Sequence, residues 1–505
     1  MRIGKRKIVL AALIGAALSG APAQAAEVIV VDGDHAVRRF DPVVPARSAT
    51  DLPRPPKAAA RASVTAGAAA STARGRRAVR RALVKALRAK KISRSGYRRW
   101  TRQYVLARRT LRRLRGARRT QLGYVVNSVE RLAIGRRLIV SRMPVAFLQM
   151  ERNRQYWRKL PYPASGDRVT FAGSEILFQY FPGEGLQLHP LSTFKKANLI
   201  HGACVRGEPG CDPKVLALLL DEMEKLAAWR GRRFIAWEYL FDFGGGAPPW
   251  MSGMAQATAI QALARAADLL GRPRYLKTAR RALGAFETLP PKGVRAVGPA
   301  GGIHYLQYSF APRLWIFNAF LQSLIGLHDF SEATGDERAR RLFDEAEPEA
   351  REELPLSDVG DWSRYNYAGH ESSADYHELL REFLQSMCSR RLGAPYCTYA
   401  RRYRGYQTDP PVLELNVPEL TQKGDLTAIR FNISKLSAVE ITVTKGEKVA
   451  FHRIATFRRG ARSFLWRPRS RGLYTVKLGA KELRTGLGLK DRGTTEIEVE
   501  PDPEA

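Results

Sequence analysis

Several stretches of this sequence carry side chains suited to acid–base or binding chemistry. Tyr376 and His377 are neighbours, so an imidazole could orient a phenol or share its proton. Glu238 places a carboxylate inside an aromatic run, between Trp237 and Tyr239. Gly244-Gly245-Gly246-Ala247-Pro248-Pro249 then imposes a chain reversal, because glycine and proline restrict which turns fit. From Trp250 the chain enters a helix-like run in which Met254, Ala257, Ile260, Gln261, Leu263 and Ala264 recur at helical spacing. The turn thus delivers a helix N-terminus, which favours anions, to one place. A loop that only joins two elements would have the same composition. Trp250 is a candidate stacking platform for a ligand ring or a buried anchor of the turn. Gln256 is a substrate contact or a helix-end hydrogen-bonding residue. His377 could equally be a satisfied core histidine.

Two cysteine pairs lie close in sequence, Cys204 with Cys211 and Cys388 with Cys397. In an exported chain this spacing predicts two local disulfides. There is no CxxC and no pair of histidines at ligand spacing, so no metal or other cofactor is expected.

The elements that must position these groups begin with a targeting signal. Arg2, Lys5, Arg6 and Lys7 precede an apolar run from Ile8 to Leu18 and a small-residue stretch ending at Ala25. This is the pattern of a signal peptide over residues 1–25, and the run is shorter than the ~20 residues a span requires. The protein is therefore expected to be secreted or associated with the cell envelope. Its 505 residues exceed one ordinary domain. The formal net charge is +36, and 23 lysines and arginines fall between Leu52 and Val129 without one acidic residue. Outside the cytoplasm such charge suits an anionic envelope surface or an acidic polysaccharide rather than nucleic acid.

Residues 26–75 read as a linker rich in Ala, Pro, Arg and Ser, and residues 76–136 as a basic helical segment. Its apolar stripe includes Val79, Leu83, Leu87, Tyr104 and Leu111. That stripe packs on the main body, or the segment tethers the protein to an acidic surface. Residues 137–200 predict a small β region with strands at Leu138–Val140, Val169–Phe171 and Glu175–Tyr180. Residues 201–408 form the helical domain; from Pro213 to about Tyr406 the pattern is helical throughout, with candidate helices at 213–229, 250–270, 273–286, 311–334, 336–353 and 373–391. Short loops between amphipathic helices imply antiparallel pairs, which can close into a toroid. Residues 409–505 carry short strands at regular spacing and predict an immunoglobulin-like β-sandwich. The fold class is thus multidomain and mainly α, with an (α/α) toroid-like helical domain between a small β region and that sandwich.

Three motifs together resemble the C-terminal, catalytic region of the D-glucuronyl C5-epimerases, over roughly residues 170–390. They are Pro249-Trp250-Met251-Ser252-Gly253-Met254-Ala255-Gln256; Tyr305-Leu306-Gln307-Tyr308 with the run Phe317 to Asp329; and Asp358 to Tyr365 with Asp375-Tyr376-His377. The resemblance implies a β portion packed on an (α/α) toroid with the site between them. It also implies that Tyr308, Tyr365 and Tyr376 are catalytic, with Tyr367 as the alternative to Tyr365. The chain departs from that family twice: Gln307 stands where the animal enzymes have a glutamate, and Ala368 where they have an arginine.

Epimerising a uronate at C5 removes a weakly acidic proton next to a carboxylate and returns one to the opposite face. A phenol does this only if its pKa is brought down from ~10, and the substrate carboxylate must be neutralised. The candidate substrate-binding residues are Trp250, Gln256, Gln307, Arg313, Arg364 and His377, with His304 and His370 as further donors. Glu238 could replace the missing glutamate. The expected function is an exported epimerase-like enzyme acting on uronate residues of an acidic polysaccharide. A uronate lyase would form the same carbanion and expel the C4 substituent, and a non-catalytic polysaccharide-binding protein would keep only the scaffold. A homodimer is compatible with each of these. The signal pattern predicts that mature protein starts near Ala26; N-terminal sequencing of secreted material checks this, and a chain still beginning at Met1 would refute it.

Overall fold

The computed structural model describes residues 26–46, 73–489 and 493–501. The signal pattern and most of the expected linker lie outside them. Residues just after the signal pattern are not linker: β1 (Ala26–Asp32) and β2 (His35–Asp41) form an antiparallel hairpin. The reason is the β-branched run in β1, whose Val28, Ile29 and Val31 are buried. Before the remaining strands come four helices: α1 (Ala73–Arg88), α2 (Arg94–Arg113), α3 (Gly116–Ile134) and α4 (Met143–Lys159). Then follow β3 (Arg168–Phe171), β4 (Phe178–Phe181) and β5 (Gly185–Leu188), which complete a sheet of order β2-β1-β3-β4-β5 with β1 parallel to β3.

The basic segment therefore contains three helices. Val79, Leu83, Trp100, Tyr104 and Leu111 face inward while most of the arginines stay exposed. Tyr104 donates a 2.5 Å hydrogen bond to the buried Glu130 on α3. Leu138–Val140 is not a strand. A 3-10 turn over Val140–Arg142 leads into α4, whose first turn holds Pro144, a residue suited to a helix start. The apolar triplet is too short for its period to distinguish the two outcomes. The expected β region thus contains one helix and the start of another.

The helical region continues with α5 (Pro190–Arg206), α6 (Pro213–Leu226), the hairpin β6 (Ala228–Arg230) and β7 (Phe234–Ala236), α7 (Gly253–Leu269) and α8 (Arg274–Ala282). A second hairpin, β8 (Arg295–Val297) and β9 (Ile303–Tyr305), precedes α9 (Phe317–Thr334), α10 (Glu337–Ser357), α11 (Ala374–Ser389) and α12 (Ala394–Thr408). Helices α5, α7, α9 and α11 pack side by side in that order, with α6, α8, α10 and α12 each against one of them. The approach is close where residues are small: a Cβ on Gly326 of α9 would lie 2.6 Å from the Ala257 carbonyl of α7. α7 starts at Gly253 because the Ser252 hydroxyl accepts from the Ala255 N–H. Disulfides join Cys204 to Cys211 and Cys388 to Cys397; the latter ties α11 to α12. One apolar core runs from Ile29 to Tyr403, so the basic helices, the first sheet and the helical array are packed together.

The C-terminal strands are β10 (Leu413–Asn416), β11 (Leu420–Gln422), β12 (Thr427–Ile433), β13 (Ser437–Lys445), β14 (Lys448–Phe457), β15 (Gly460–Trp466), β16 (Gly472–Glu482) and β17 (Gly493–Glu500). They form a three-stranded sheet, β10-β12-β15, and a five-stranded one, β11-β17-β16-β13-β14. Alternate residues such as Ile429, Phe431, Val439, Ile441, Val476 and Leu478 fill a second core. No helix among the described residues is long and apolar enough to cross a membrane.

Glu238 ties the start of α4 to β6 beside the glycine-rich turn. It is buried and accepts from Arg142 at 2.5 and 2.9 Å and from Arg230 at 2.8 Å. Removing one partner of such a group leaves buried charge uncompensated. Glu238→Ala should therefore cost about 3–5 kcal/mol of stability, read as a shift of the denaturant midpoint.

Candidate active site

The site is built outward from the turn at 244–249. Tyr239 and Trp250 bridge across it through N–H···O bonds of 2.8 and 3.2 Å, and their rings stack at 4.1 Å with 5° between planes. The Trp250 indole N–H donates to the Phe241 carbonyl at 2.8 Å, and the residue is 1% exposed. Both ring faces are thus covered, and Trp250 is the buried anchor, not a sugar platform. Gln256 is also buried; its amide donates to the carbonyls of Ile235 and Ala282, which fixes α7 to β7 and α8. It does not line the site.

Tyr308 is pinned to the start of α7. The Ser309 N–H reaches the Met251 carbonyl at 3.0 Å, the Ser309 hydroxyl accepts from Met251 at 3.1 Å, and the Gly253 N–H reaches the Leu306 carbonyl at 3.0 Å. Gly253 must be glycine here, since a Cβ would lie 2.5 Å from that carbonyl oxygen. Gln307 turns its side chain to the same helix start and accepts from the Ser252 hydroxyl at 3.1 Å, buried at 2% exposure. It is a neutral brace of the helix cap.

Tyr365 stands on an irregular hairpin spanning residues 358–372. The Tyr365 N–H donates to the His370 carbonyl, and the Tyr365 carbonyl accepts from the Phe317 N–H where α9 begins. Tyr376 lies in the first turn of α11, where Ser373 caps the helix. These three separate stretches bring Tyr308, Tyr365 and Tyr376 together. The Tyr365 and Tyr376 rings lie 4.9 Å apart, and the Tyr308 and Tyr365 hydroxyls are within hydrogen-bonding reach of each other. Tyr308 is fully buried beneath the other two, which are partly exposed. Tyr367 instead packs edge-on against Trp315, 37% exposed and away from the cluster.

The electrostatics run against the sequence expectation. Burial, reinforced by neighbouring phenols, pushes Tyr308 well above the ordinary phenol range; burial and the Tyr376 phenol do the same to Tyr365. The hydrogen bond with Tyr308 acts in the other direction on Tyr365. His377 does not serve Tyr376. Its Nε2 lies 3.0 Å from the Tyr403 carbonyl, which can only accept, so Nε2 carries the proton. Its Nδ1 then accepts from the Ser363 N–H and hydroxyl. Burial holds this imidazole at about 4, and its ring stacks on Trp362 at 3.8 Å. It is a satisfied core histidine. His304 is likewise buried, 2.7 Å from Glu353, and Glu238 is taken up by Arg142 and Arg230.

Arg313 is exposed and makes no hydrogen bond or ion pair among the described residues. It precedes Trp315, whose carbonyl accepts from Tyr367, so it borders the Tyr365 hairpin. Ala368, at φ +54°, lies at the exposed tip of that hairpin and supplies no charge. Arg364 and His370 line a cleft of about 590 Å³ between the hairpin and the C-terminal strands. This cleft was not foreseen from the sequence; its only signal was the Arg458-Arg459 pair before Gly460.

Residues 230–405 match the family model described as the D-glucuronyl C5-epimerase C-terminus. The chain is 34% identical over 131 residues to the D-glucuronyl C5-epimerase of Caenorhabditis elegans, covering 24% of this chain and 21% of that protein. It is 27% identical over 177 residues to an uncharacterized protein of Methanocaldococcus jannaschii, covering 34% of this chain and 58% of the other. The chain thus spans less than two thirds of either relative. Among solved structures, a sugar epimerase from a ruminal bacterium overlaps 44% of this chain and 60% of its own, with 12% identity and a TM-score of 0.31. A D-mannose isomerase overlaps 59% and 77%, with 10% identity and a TM-score of 0.34. The segment that carries the three tyrosines therefore resembles the C-terminal region of the D-glucuronyl C5-epimerases.

Proposed function

We propose that this protein is a carbohydrate epimerase that inverts C5 of uronate residues, D-glucuronate to L-iduronate in type, within an acidic polysaccharide. The observation that carries the reading is the meeting of Tyr308, Tyr365 and Tyr376 from three stretches of the family-like segment. In this reading Tyr365 and Tyr376, the two partly exposed phenols, face the sugar and exchange its C5 proton. Tyr308 acts behind them: by donating to Tyr365 it stabilises the ionised form that serves as base. The two ring centres lie 4.9 Å apart, so the sugar does not pass between them; the pair takes the proton from one face of C5, and the proton returned to the opposite face comes from water on the solvent side. Arg313 or Arg364 neutralises the substrate carboxylate, in place of the charge missing at Ala368. The helices α5 to α12 belong, in this proposal, to an (α/α) toroid. Export, attachment to an anionic envelope through residues 52–129, and any homodimer are part of the same proposal.

A second reading is favoured by one observation. Tyr308 and Tyr365 are both held protonated, with no carboxylate at Gln307 to take a proton. A non-catalytic polysaccharide-binding protein would need no more than this. Incubation with glucuronate-containing polymers in deuterated water separates the two, because only an enzyme places deuterium at C5. Ultraviolet absorbance from an unsaturated uronate would identify a lyase instead.

Tyr376→Phe removes a single hydroxyl from a partly exposed side chain. It should leave thermal stability nearly unchanged and cut C5 exchange by ~100-fold or more. Exchange at the wild-type level in that variant would exclude the mechanism. The pH dependence follows from the raised phenols. A base acts only when ionised, and a pKa above ~10 leaves a small ionised fraction that grows about tenfold per pH unit. C5 exchange should therefore climb steadily from neutral pH toward 10, and a plateau near pH 7 would show that Tyr365 is not the base.

A further inference from the structure

The C-terminal strands contribute directly to the cleft beside Tyr365. The turn between β14 and β15 carries Arg458 and Arg459, and β15 carries Arg462, to one wall, and the Tyr365 hairpin supplies Arg364 on the other. Two carboxylates also line it, Asp361 and Glu371, but both are already engaged. Arg484, from the loop after β16, is 2.5 Å from Asp361 and 3.1 Å from Glu371, and its guanidinium lies 4.8 Å from the centre of the Trp362 ring. Arg458 takes the other oxygen of Glu371 at 2.8 Å. Among the described residues, three guanidinium groups of the cleft are left without a carboxylate. Among the described residues the Arg459 side chain donates to the Val359 carbonyl alone, at 3.4 Å, in space that Gly360 (φ +88°) leaves by having no side chain. Arg462 reaches the main-chain carbonyls of Arg458, Arg459 and Ala461 at 2.9 to 3.0 Å, which fixes its fork in place. Arg364 makes no side-chain hydrogen bond or ion pair among the described residues and immediately precedes Tyr365.

We infer that this cleft is a subsite for the acidic sugars flanking the one presented to the tyrosines, and that the C-terminal strands are a substrate-binding part of the protein. The inference rests on the uronate reading above. The chemistry is that of guanidinium forks without acidic partners, which bind carboxylate or sulfate groups of a polysaccharide through paired, charge-assisted hydrogen bonds. Neutral glucans offer no such group and should not occupy it.

The test uses the full chain carrying Tyr376→Phe, so that binding is measured without turnover, and a glucuronate-containing hexasaccharide as probe. Adding Arg459→Ala and Arg462→Ala should weaken binding by roughly tenfold or more, since each loses a hydrogen bond to a charged group. Lys214→Ala with Lys225→Ala, which removes two exposed charges from α6, should leave it unchanged, and a neutral dextran oligomer should not bind any of the proteins. Unchanged hexasaccharide affinity in the Arg459/Arg462 variant, an equal loss in the Lys214/Lys225 variant, or no binding by the parent would each overturn the subsite. Thermal melting at the parent value confirms that the variants are folded; if the double alanine variant melts early, Arg462→Lys, which keeps the charge but loses the fork, replaces it with the same expected loss. Binding that depends on these arginines in a protein that never exchanges the C5 proton would sink the epimerase reading and leave the subsite standing.

Discussion

The candidate site depends on the bridge between Tyr239 and Trp250. Two main-chain hydrogen bonds and a stacked ring pair close the glycine- and proline-rich turn, and so determine where α7 begins. From that helix start, Ser252 and Gly253 position the 306–309 segment and with it Tyr308. Phe243 and Phe310 flank the Tyr308 ring and leave it no room to turn away. Aromatic burial of this kind contributes both area and geometry, about 0.5–1.5 kcal/mol per ring pair beyond the area alone. A tyrosine held so firmly is suited to supporting a neighbour's charge, and poorly suited to reaching a substrate itself.

Periodicity made much of the architecture legible. The strands β12, β13 and β16 alternate cleanly because one face of each is buried, and the helices from Pro213 to Ser389 show apolar stripes for the same reason. The misses came where composition and burial disagree. β1 is short and sits beside an alanine- and arginine-rich stretch, so its Val28–Val31 run was lost in its surroundings. α12 lies inside the stretch that reads as helical but has no delimited candidate helix, since its tyrosines and arginines at 396–406 have no simple stripe. Within the site, the three tyrosines were legible only through the resemblance, as nothing in their local sequence distinguishes them from packing tyrosines. The placement of Trp250, Gln256 and His377 was decided by contacts far along the chain: Phe241 and Tyr239, Ala282, and Tyr403. Sequence spacing does not encode such contacts.

The two cores meet through charge, not through apolar surface alone. Arg484 engages Asp361, Glu371 and Glu482 while lying against Trp362, which in turn stacks on His377. Only 13% of its side chain is exposed, so these pairs are shielded from the screening that weakens surface salt bridges. The hairpin that carries Tyr365 is thus clamped on one side by α9 and on the other by the C-terminal strands.

The parallel pairing of β1 with β3 has a kinetic consequence. Val28 is among the first described residues of the chain, yet its partner Arg168 follows only after about 140 further residues. At ordinary synthesis rates the partner emerges on the order of ten seconds later. Until then β1 presents an unpaired, β-branched edge that later strands alone can satisfy. The first sheet therefore closes late, and the nascent chain stays open at its leading end while the basic helices are already complete.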